Sequence, residues 1–409
     1  MINGWITKTI KDVIFKTETI DPRKTPKELF YYIDVSSVSN RTLEIKNADE
    51  IFGKDAPSRA RRVISAGDVI FATVRPTLRR IAVVPDHLDG EVCSTGYFVF
   101  RTKPEVYNRY MFYFLQTDKF MGEMEKLQSG ASYPAVNDTQ VKSQLISFPP
   151  LPEQKRIVAI LDQVFAQIEQ ARAKTEQNLK NARELFESYL QQVFSQRGEG
   201  WVATTLGKAT GGVFTGPFGS LLHKSDYIEN GIPLVNPAHI TMNGIEADYK
   251  KTVSQETSER LSNYIMRNGN IVIGRRGEMG RCALVTCNED GFLCGTGSFF
   301  IKSSEQVDGG YLVRYLRSAS CKTKLEKIAG GAVMPNLSNT DLSNLDICLP
   351  PLKKQREITE LIDRLSTNTD KVASVYRTKL EALDELKKSV LHLAFSGELT
   401  TKDAKEAAA

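Results

Sequence analysis

Hydrophobic residues follow two different rules along this chain. Up to about residue 150 they occur in short runs separated by Gly, Pro and Asn, which is typical of strands joined by turns. From residue 108 to about 127 the spacing of apolar residues becomes helical. The runs that predict strands are Lys11–Phe15, Phe30–Val35, Asp68–Val74, Ile81–Val84 and Gly96–Phe100. This part of the chain is therefore predicted to be a mixed α/β domain.

After Pro152 the pattern changes to that of one long helix. No Gly or Pro occurs from Glu153 through Arg197, and apolar residues recur at intervals of mostly three or four. Such spacing predicts a coiled-coil-like seam along one helix. The seam positions are 157, 161, 164, 168, 171, 179, 182, 186, 190 and 193.

The same plan then runs a second time. Gly198 and Gly200 end the first helical segment, and a second α/β domain follows, with predicted strands at 233–235, 270–273 and 298–302. A second segment free of Gly and Pro runs from Lys353 to Ser396, and Gly397 is placed to cap it. Its predicted seam residues are Ile358, Ile362, Leu365, Val372, Val375, Leu383, Leu386, Val390 and Leu393.

The two halves share a fixed offset. The hexapeptide YMFYFL at 110–115 returns as YLVRYL at 311–316, and FPPLPEQKRI at 148–157 returns as LPPLKKQREI at 349–358 (311 − 110 = 201; 358 − 157 = 201). A period near 200 residues indicates two domain-sized copies, not a solenoid. The predicted domains are an α/β domain at 1–150, a spacer helix at 151–197, a second α/β domain at 198–350, a second spacer helix at 351–397 and a flexible tail at 398–409.

Each long helix carries an apolar stripe that must be covered in water. The predicted fold class is therefore α/β (α+β), with two domains joined by two long antiparallel coiled-coil-like helices in an internal pseudo-two-fold repeat. Dimerisation between two chains is the alternative way to cover both stripes.

Composition excludes several classes of protein. The chain has 409 residues, of which 41% are apolar and 25% charged, with a net charge of +5. It begins without a secretion signal and has no run of 18 apolar residues, so we expect no membrane partner. Five of the six cysteines lie in the second half, which favours a reducing cytosol over a disulfide framework. Zinc binding by Cys282, Cys287 and Cys294 is disfavoured by their spacing, and buried strand cysteines are the expected alternative.

Catalytic motifs are missing from the sequence. Asn236-Pro-Ala-His239 is the nearest string to the catalytic tetrapeptide of adenine methyltransferases, but it lacks the second proline and the aromatic residue. No glycine-rich cofactor turn follows a strand, and no phosphate loop of the GxxxxGK[S/T] type occurs. We therefore expect a chain that is not an enzyme by itself.

Arginines cluster where predicted strands run into loops. One cluster follows GDVIFA at 67–72 and another follows GNIVIG at 269–274, at the same place in the repeat, while an earlier group lies at 59–62. Arginines on loops can donate two hydrogen bonds to a guanine base or contact phosphate groups. The alternative is that these arginines form a charged surface that contacts only water.

Three further segments can approach DNA. The loops 129–133 and 330–334 match in the repeat, and either is also compatible with a simple helix-to-strand turn. The segment 215–227 occurs only in the second copy. The residues predicted to contact DNA are Arg75, Arg79, Arg80, Ser132, Tyr133, His223, Lys224, Arg275, Arg276 and Arg281.

These motifs resemble a known family. The string PPLPEQKRI at 149–157, its copy at 350–358, the long helix after each and the closing AFSGELT at 394–400 are similar to the specificity subunit of bacterial type I restriction-modification systems. The resemblance covers nearly the whole chain. Lys353-Lys354 stands where the first copy has Pro-Glu, which leaves the expected fold unchanged.

The resemblance implies a function for each part. Two target-recognition domains would each read one half of a gapped, asymmetric sequence in double-stranded DNA, and the two helices would form the spacer. The subunit would bind two methylation subunits, which carry S-adenosylmethionine, and restriction subunits that use ATP and Mg²⁺, in the cytoplasm. This chain itself would hold no cofactor.

Two alternatives remain open on sequence grounds. A coiled-coil scaffold that binds proteins would bind DNA weakly, and that binding would be insensitive to salt, unlike binding through phosphate contacts. An enzyme would require catalytic motifs that this sequence lacks. The family provides no universal base code, so the ten predicted contacts rest on position and chemistry alone.

Overall fold

The computed structural model describes residues 4–330 and 336–399. The predicted loop residues 331–334 and most of the predicted tail, 400–409, lie outside the described residues. Within the described ranges, no helix has the length and apolar character needed to cross a membrane. The chain divides into unit 1, Met1–Glu176 with Arg377–Ala409, and unit 2, Gln177–Tyr376.

Unit 1 begins with the first α/β domain. Its strands are β1 Ile6–Thr9, β2 Leu29–Ile33, β3 Asp49–Phe52, β4 Ala60–Val63, β5 Val69–Ala72, β6 Ile81–Val83, β7 Val92–Ser94, β8 Tyr97–Phe100 and β9 Leu145–Phe148. Its helices are α1 Asn108–Phe114, α2 Asp118–Leu127, α3 Asp138–Lys142 and the first part of α4 Leu151–Ser195.

Unit 2 contains the second α/β domain. Its strands are β10 Val202–Thr205, β11 Val213–Thr215, β12 Tyr227–Ile228, β13 Ile232–Val235, β14 Ile240–Thr241, β15 Gly244–Ile245, β16 Thr252–Val253, β17 Ile271–Gly274, β18 Cys282–Leu284, β19 Leu293–Cys294, β20 Ser298–Ile301 and β21 Asp346–Leu349. Its helices are α5 Leu206–Ala209, α6 Gln255–Arg260, α7 Gly309–Arg317, α8 Ala319–Ile328, α9 Asn339–Ser343, the second part of α4 and the first part of α10 Leu352–Ser396. The end of α10, from residue 377, belongs to unit 1.

The sheets of the two units follow one plan. In unit 1, β5 lies between β6 and β8 with antiparallel pairing, and β2 pairs with β7 in parallel. In unit 2, β17 lies between β18 and β20, and β13 pairs with β19 in parallel. All four residues of β5 and of β17 are buried, as expected for central strands that are covered on both faces.

The two long helices pack antiparallel within each unit. In unit 1, the buried residues Ile157 and Leu161 of α4 share a core with Leu391 and Ala394 of α10. Arg172 forms an ion pair with Asp384, and Lys387 Nζ lies 3.4 Å from a Glu169 carboxylate oxygen. Residue numbers rise along one helix as they fall along the other, which confirms the predicted antiparallel pairing.

Both helix ends use the same aromatic contact. Phe194, near the end of α4, lies with its ring centroid 5.7 Å from that of Tyr311 and 5.6 Å from that of Tyr315 in unit 2. In unit 1, Phe395 near the end of α10 lies 4.9 Å from Tyr110. The predicted pseudo-repeat therefore extends to the packing of both helix ends, and the predicted fold class is confirmed.

Three details of the predicted elements were wrong. The run Lys11–Phe15 is not a strand, because Asp12 and Thr9 form a capping box that starts a short 3-10 helix at Ile10–Val13. The helix expected over residues 108–127 is two helices, because the Thr117 side chain accepts from the backbone N–H of Phe120 and caps a new start. The seam residues Val372, Val375 and Leu386 are exposed, since a straight helix drifts relative to a strict heptad. The predicted domain bounds remain predictions.

Candidate nucleic-acid interface

In unit 1, a strained turn leaves the end of β5. We define the arginine loop of unit 1 as residues 73–80. Arg75 and Arg79 flank a 3-10 turn at Pro76–Leu78, and both have positive φ, 51° and 54°. Non-glycine residues held in this region cost about 1–3 kcal/mol each and cluster at functional sites. The Arg79 guanidinium is held by Asp118, with Nη2 2.8 Å from a carboxylate oxygen.

A second loop is hydrogen-bonded to the arginine loop. We define residues 129–136 as the glycine loop of unit 1. The backbone N–H of Val136 donates to the carbonyl of Thr73 at 3.0 Å, and the N–H of Arg75 donates to the carbonyl of Pro134 at 2.6 Å. The two loops therefore form one surface at the end of β5.

This surface brings together three of the residues that the sequence predicted. Arg75 Nη2 donates to the carbonyl oxygen of Ser132 at 3.2 Å, and the guanidinium carbon lies 4.8 Å from the centroid of the Tyr133 ring. Tyr133 is 70% exposed. An exposed aromatic ring beside a guanidinium offers both a stacking face and a fork of donors, which are the groups that contact bases and phosphates.

Unit 2 builds the corresponding surface from other side chains. We define its arginine loop as residues 275–281. Arg276 pairs with Asn336 in an isolated β-bridge, and Leu337 N–H donates to the carbonyl of Arg275 at 2.9 Å. The side-chain oxygen of Asn336 accepts from Nε of both arginines, at 3.1 Å from Arg275 and 3.4 Å from Arg276. The Arg276 side chain is exposed, whereas Arg275 is half-buried over the ring of Phe299.

The backbones of the two arginine loops match over their first three residues. Thr73 N–H donates to the carbonyl of Gly96 at 2.8 Å, and Arg275 N–H donates to the carbonyl of Gly297 at 3.0 Å. Thr73 therefore corresponds to Arg275, and the next two positions pair Val74 with Arg276 and Arg75 with Gly277. Both residues of the last pair have positive φ, 51° in unit 1 and 80° in unit 2. One backbone frame thus presents different side chains in the two units.

Arg80 and Arg281 end the two arginine loops, and each donates to a backbone carbonyl. Arg80 Nη1 lies 2.5 Å from the carbonyl oxygen of Val35, and Arg281 Nη1 lies 3.3 Å from that of Pro237. Arg281 Nη2 also contacts Glu278 at 3.0 Å. Both arginine side chains therefore already donate hydrogen bonds to acceptors within the protein.

His223 and Lys224 lie on a separate exposed turn of unit 2. His223 N–H donates to a carboxylate oxygen of Asp226 at 2.7 Å, which fixes the start of the turn. Asp226 is held in turn by Arg260, at 3.2 Å. In the described part of the chain, no hydrogen bond or ion pair joins either residue to Arg275 or Arg276.

The earlier arginine group serves the fold of unit 1. Arg62 forms two hydrogen bonds to Asp138, at 2.8 and 3.0 Å, and Arg61 lies 2.7 Å from Asp21. These arginines connect the strand β4 to its neighbours, so the sequence clusters differ in their roles.

Sequence reasoning missed Asn336, which holds both arginines of the unit 2 loop. Asparagine has no charge pattern that marks such a role, and the corresponding residue of unit 1 is Ala135 (336 − 135 = 201). The only available signal was the position of Asn336 in the repeat, next to the matching glycine loops.

Cys282 and Cys93 are core residues of the two units. No group of three or more His, Cys, Asp or Glu side chains among residues 4–330 and 336–399 is placed to hold a metal ion. Burial raises the pKa of the Cys282 thiol to about 12 and that of Cys93 to about 12. Because the thiolate is the reactive form, these cysteines are inert core residues at neutral pH.

Comparison with known proteins gives one consistent family. The model of the type I restriction modification DNA specificity domain matches residues 2–181 and 210–380, so it occurs twice. The putative type I restriction enzyme MjaX specificity subunit of Methanocaldococcus jannaschii is 23% identical, over 97% of this chain and 94% of that protein. The EcoBI specificity subunit of Escherichia coli is 21% identical, over 78% of this chain and 70% of that protein.

Solved structures agree with the sequence relatives. A chain from a study of complex assembly and conformational transition of the type I R-M system matches with a TM-score of 0.83 and 28% identity, over 97% of this chain and 99% of that chain. The HsdS subunit from Thermoanaerobacter tengcongensis matches with a TM-score of 0.67 and 29% identity, over 98% of each chain.

Proposed function

We propose that this chain, which belongs to the type I restriction modification DNA specificity family, is the subunit that selects the DNA target of a type I restriction-modification complex. Each unit reads one half of a bipartite, gapped and asymmetric sequence in double-stranded DNA. The subunit directs two methylation subunits and the restriction subunits to that sequence.

The observation that carries the proposal is that the two arginine loops begin with the same backbone conformation but present different side chains. The backbone bonds of Thr73 and Arg275 are equivalent, yet the loops present Thr-Val-Arg-Pro in unit 1 and Arg-Arg-Gly-Glu in unit 2. A scaffold that binds one kind of protein twice has no need for this difference. Two readers of different bases require it, because base edges are distinguished by donor and acceptor patterns.

The proposed contacts divide between the units. In unit 1 they are Arg75, Ser132 and Tyr133, and in unit 2 they are His223, Lys224, Arg275 and Arg276. Arg79 also belongs to the proposed set, because a phosphate can compete with Asp118 for its exposed guanidinium. Its side chain bonds to Asp118 and Gln116, whereas those of Arg80 and Arg281 bond to the 3-10 turns at 35–37 and 237–239. Arg80 and Arg281 are left out of this set because each donates to a backbone carbonyl of such a turn in its own unit.

The chemistry of methylation and cleavage is assigned to the partner subunits. S-adenosylmethionine, ATP and Mg²⁺ bind there, and this chain is proposed to bind none of them and to catalyse no reaction alone. What supports this division is the family and the missing catalytic motifs in the sequence. The proposed location is the cytoplasm, where the DNA and the partners are.

Footprinting of the subunit bound to its methylation partner tests the proposal. We expect two protected patches that depend on sequence, separated by a gap whose bases can be changed without loss of binding. The matched control is the same complex on DNA in which only the gap sequence is scrambled. One continuous sequence-dependent patch, or protection of any sequence equally, would contradict the proposal.

A further inference from the structure

A short turn of the same design follows a strand with a buried end in each unit. In unit 1 the 3-10 turn Val35–Ser37 follows β2, and in unit 2 the 3-10 turn Pro237–His239 follows β13. Both strands pair in parallel with a short strand from the far part of the domain, β7 and β19. We call these two segments the reading turns.

Each reading turn receives a hydrogen bond from the last arginine of the arginine loop. Arg80 Nη1 donates to the carbonyl of Val35, and Arg281 Nη1 donates to the carbonyl of Pro237. The two donors correspond at an offset of 201 residues and the two acceptors at an offset of 202 (281 − 80 = 201; 237 − 35 = 202). The same hydrogen bond therefore occurs in both units, with a valine as the acceptor residue in unit 1 and a proline in unit 2.

The backbone position of each arginine is also the same. The N–H of Ala72, at the end of β5, donates to the carbonyl of Arg80 at 2.9 Å, and the N–H of Gly274, at the end of β17, donates to the carbonyl of Arg281 at 2.8 Å. Both arginines thus close the base of the arginine loop while their side chains reach the reading turn.

A glycine lies beneath each reading turn. A Cβ on Gly96 would come within 2.5 Å of Val35 Cγ2, and a Cβ on Gly297 would come within 2.9 Å of Pro237 Cδ. Such distances are far below normal van der Waals contact, so a larger residue would push the turn away. Close approach of the reading turn to the tight turn before β8 or β20 is therefore built into both units.

The matched turns expose different side chains. Ser36 is exposed in unit 1, and Ala238 is exposed at the corresponding position in unit 2 (238 − 36 = 202). A hydroxyl can hydrogen-bond to a base edge, whereas a methyl group contacts the thymine methyl. As in the arginine loops, the two units share the backbone of the turn and differ in the side chain that it exposes.

We propose that Arg80 and Arg281 are positioning residues, each of which fixes a reading turn against the arginine loop of its unit without contacting DNA. The proposal rests on the proposed function, because it concerns how each unit keeps its reading segments in register. It assigns the two arginines a role different from the DNA contact that the sequence suggested.

The test compares four variants of the full subunit bound to its methylation partner. Arg80→Ala removes the arginine's bond to Val35, whose carbonyl oxygen still accepts from the Tyr97 hydroxyl at 3.1 Å. Arg80→Lys retains a cationic donor group, Gly96→Ala crowds the turn without removing a charge, and Arg75→Ala removes a proposed DNA contact. Binding is measured for the natural target and for every single base-pair change in both half-sites, at several salt concentrations. Thermal unfolding checks that each variant is folded.

We expect Arg80→Ala to reduce discrimination by about tenfold at several positions of one half-site, because a displaced turn misaligns several contacts. The other half-site stays unchanged. The slope of log binding constant against log salt also stays unchanged, since no phosphate contact is lost. Gly96→Ala produces the same pattern, and Arg80→Lys restores discrimination to within about threefold because a single carbonyl needs one donor.

Two results would overturn the assignment. Loss of discrimination at one base pair only, in Arg80→Ala or Arg80→Lys, would make Arg80 a direct base contact. A salt slope lower by about one, as expected for Arg75→Ala if Arg75 grips phosphate, would make Arg80 a phosphate contact. If the wild-type complex shows no half-site discrimination at all, the proposed function fails, and the two failures are thus distinguishable. Arg281→Ala and Gly297→Ala repeat the test on the other half-site.

Discussion

Gln154 and Gln355 make the same three hydrogen bonds, one set in each unit. Gln154 Oε1 accepts from the backbone N–H of Tyr107 at 2.8 Å, and its Nε2 donates to the carbonyls of Glu105 at 2.8 Å and Pro149 at 2.9 Å. Both glutamine side chains are almost completely buried.

In unit 2 the partners are Asp308 N–H at 2.8 Å and the carbonyls of Gln306 at 3.0 Å and Pro350 at 2.9 Å. Each glutamine therefore connects the loop before a short helix to the proline turn before a long one. This explains the Pro-Pro-Leu-x-x-Gln motif physically: the prolines set the turn, and the amide satisfies three buried backbone groups.

Replacement of Gln154 by Ala is expected to destabilise unit 1 by about 3 kcal/mol. The change leaves one N–H and two carbonyls without their partner in buried or half-buried positions, and an unpaired group costs about 1–3 kcal/mol when it is fully buried. Urea unfolding measures the loss, and Gln355→Ala should give a similar value in unit 2. Gln177→Ala, at an exposed glutamine of α4, is the control and should change stability by less than about 0.5 kcal/mol. Equal effects of all three variants would contradict the role of the motif.

Arg75→Ala is expected to weaken binding to one half-site by about 1–3 kcal/mol. Its guanidinium lies beside the exposed ring of Tyr133 at the loop surface, so its loss removes a donor fork from the proposed interface. Fluorescence anisotropy with single base-pair changes in each half-site measures the effect. Arg276→Ala should act on the other half-site, and Arg183→Ala, at an exposed arginine of α4, should affect neither. An effect of Arg75→Ala on both half-sites equally would argue against separate readers.

Asn336→Ala is expected to reduce discrimination at the half-site of unit 2 by about tenfold. The asparagine oxygen accepts from Nε of Arg275 and Arg276, and without it both guanidinium groups gain rotational freedom. Asn336→Asp retains an acceptor and should stay close to wild type. Methylation rates on substituted oligonucleotides provide the measurement. If Asn336→Ala discriminates as well as wild type, the anchor has no role in reading.

A helical turn added to the spacer is expected to change the gap and nothing else. Four residues inserted in α4 between positions 165 and 180, with a matching turn in α10, lengthen each helix by about 6 Å, at 1.5 Å per residue. Since DNA rises 3.4 Å per base pair, the gap should grow by about one or two base pairs. Mapping of the modified sequence measures the gap. New bases in either half-site with an unchanged gap would refute the spacer model.

Much of the architecture can be predicted from the pattern of apolar residues, because the need to bury these residues determines where strands and helices pack. The central strands β5 and β17 are apolar at nearly every position, so both faces of each strand must be covered, and all of their residues are indeed buried. The long helices follow from the absence of Gly and Pro, and Gly397, with φ of 80°, ends α10 as its position suggested.

The errors arise where local polar groups compete with the pattern. The apolar residues near Asp12 resemble a strand, but the Asp12 carboxylate accepts from the Thr9 hydroxyl and N–H and closes a turn. Thr117 interrupts an otherwise continuous helical pattern in the same way. Such side-chain bonds depend on geometry that apolar periodicity does not contain.

The sequence predicted where the two arginine loops lie, but not the contacts that each arginine makes within the protein. The repeat located both arginine loops, but it did not separate Arg75, which lies beside an exposed tyrosine, from Arg80, which donates to the backbone carbonyl of Val35. That difference depends on contacts between residues 45 positions apart (80 − 35 = 45). The role of Asn336 depends likewise on a contact across about sixty residues.

The most direct test of two separate readers is a genome-wide map of methylated adenines in a host that carries this subunit with its methylation partner. We predict one motif with two short specified parts separated by a gap of fixed length and free sequence. In a host that carries the Arg276→Ala variant, only one of the two parts should lose definition. A single uninterrupted motif, or the loss of both parts in the variant, would contradict the account.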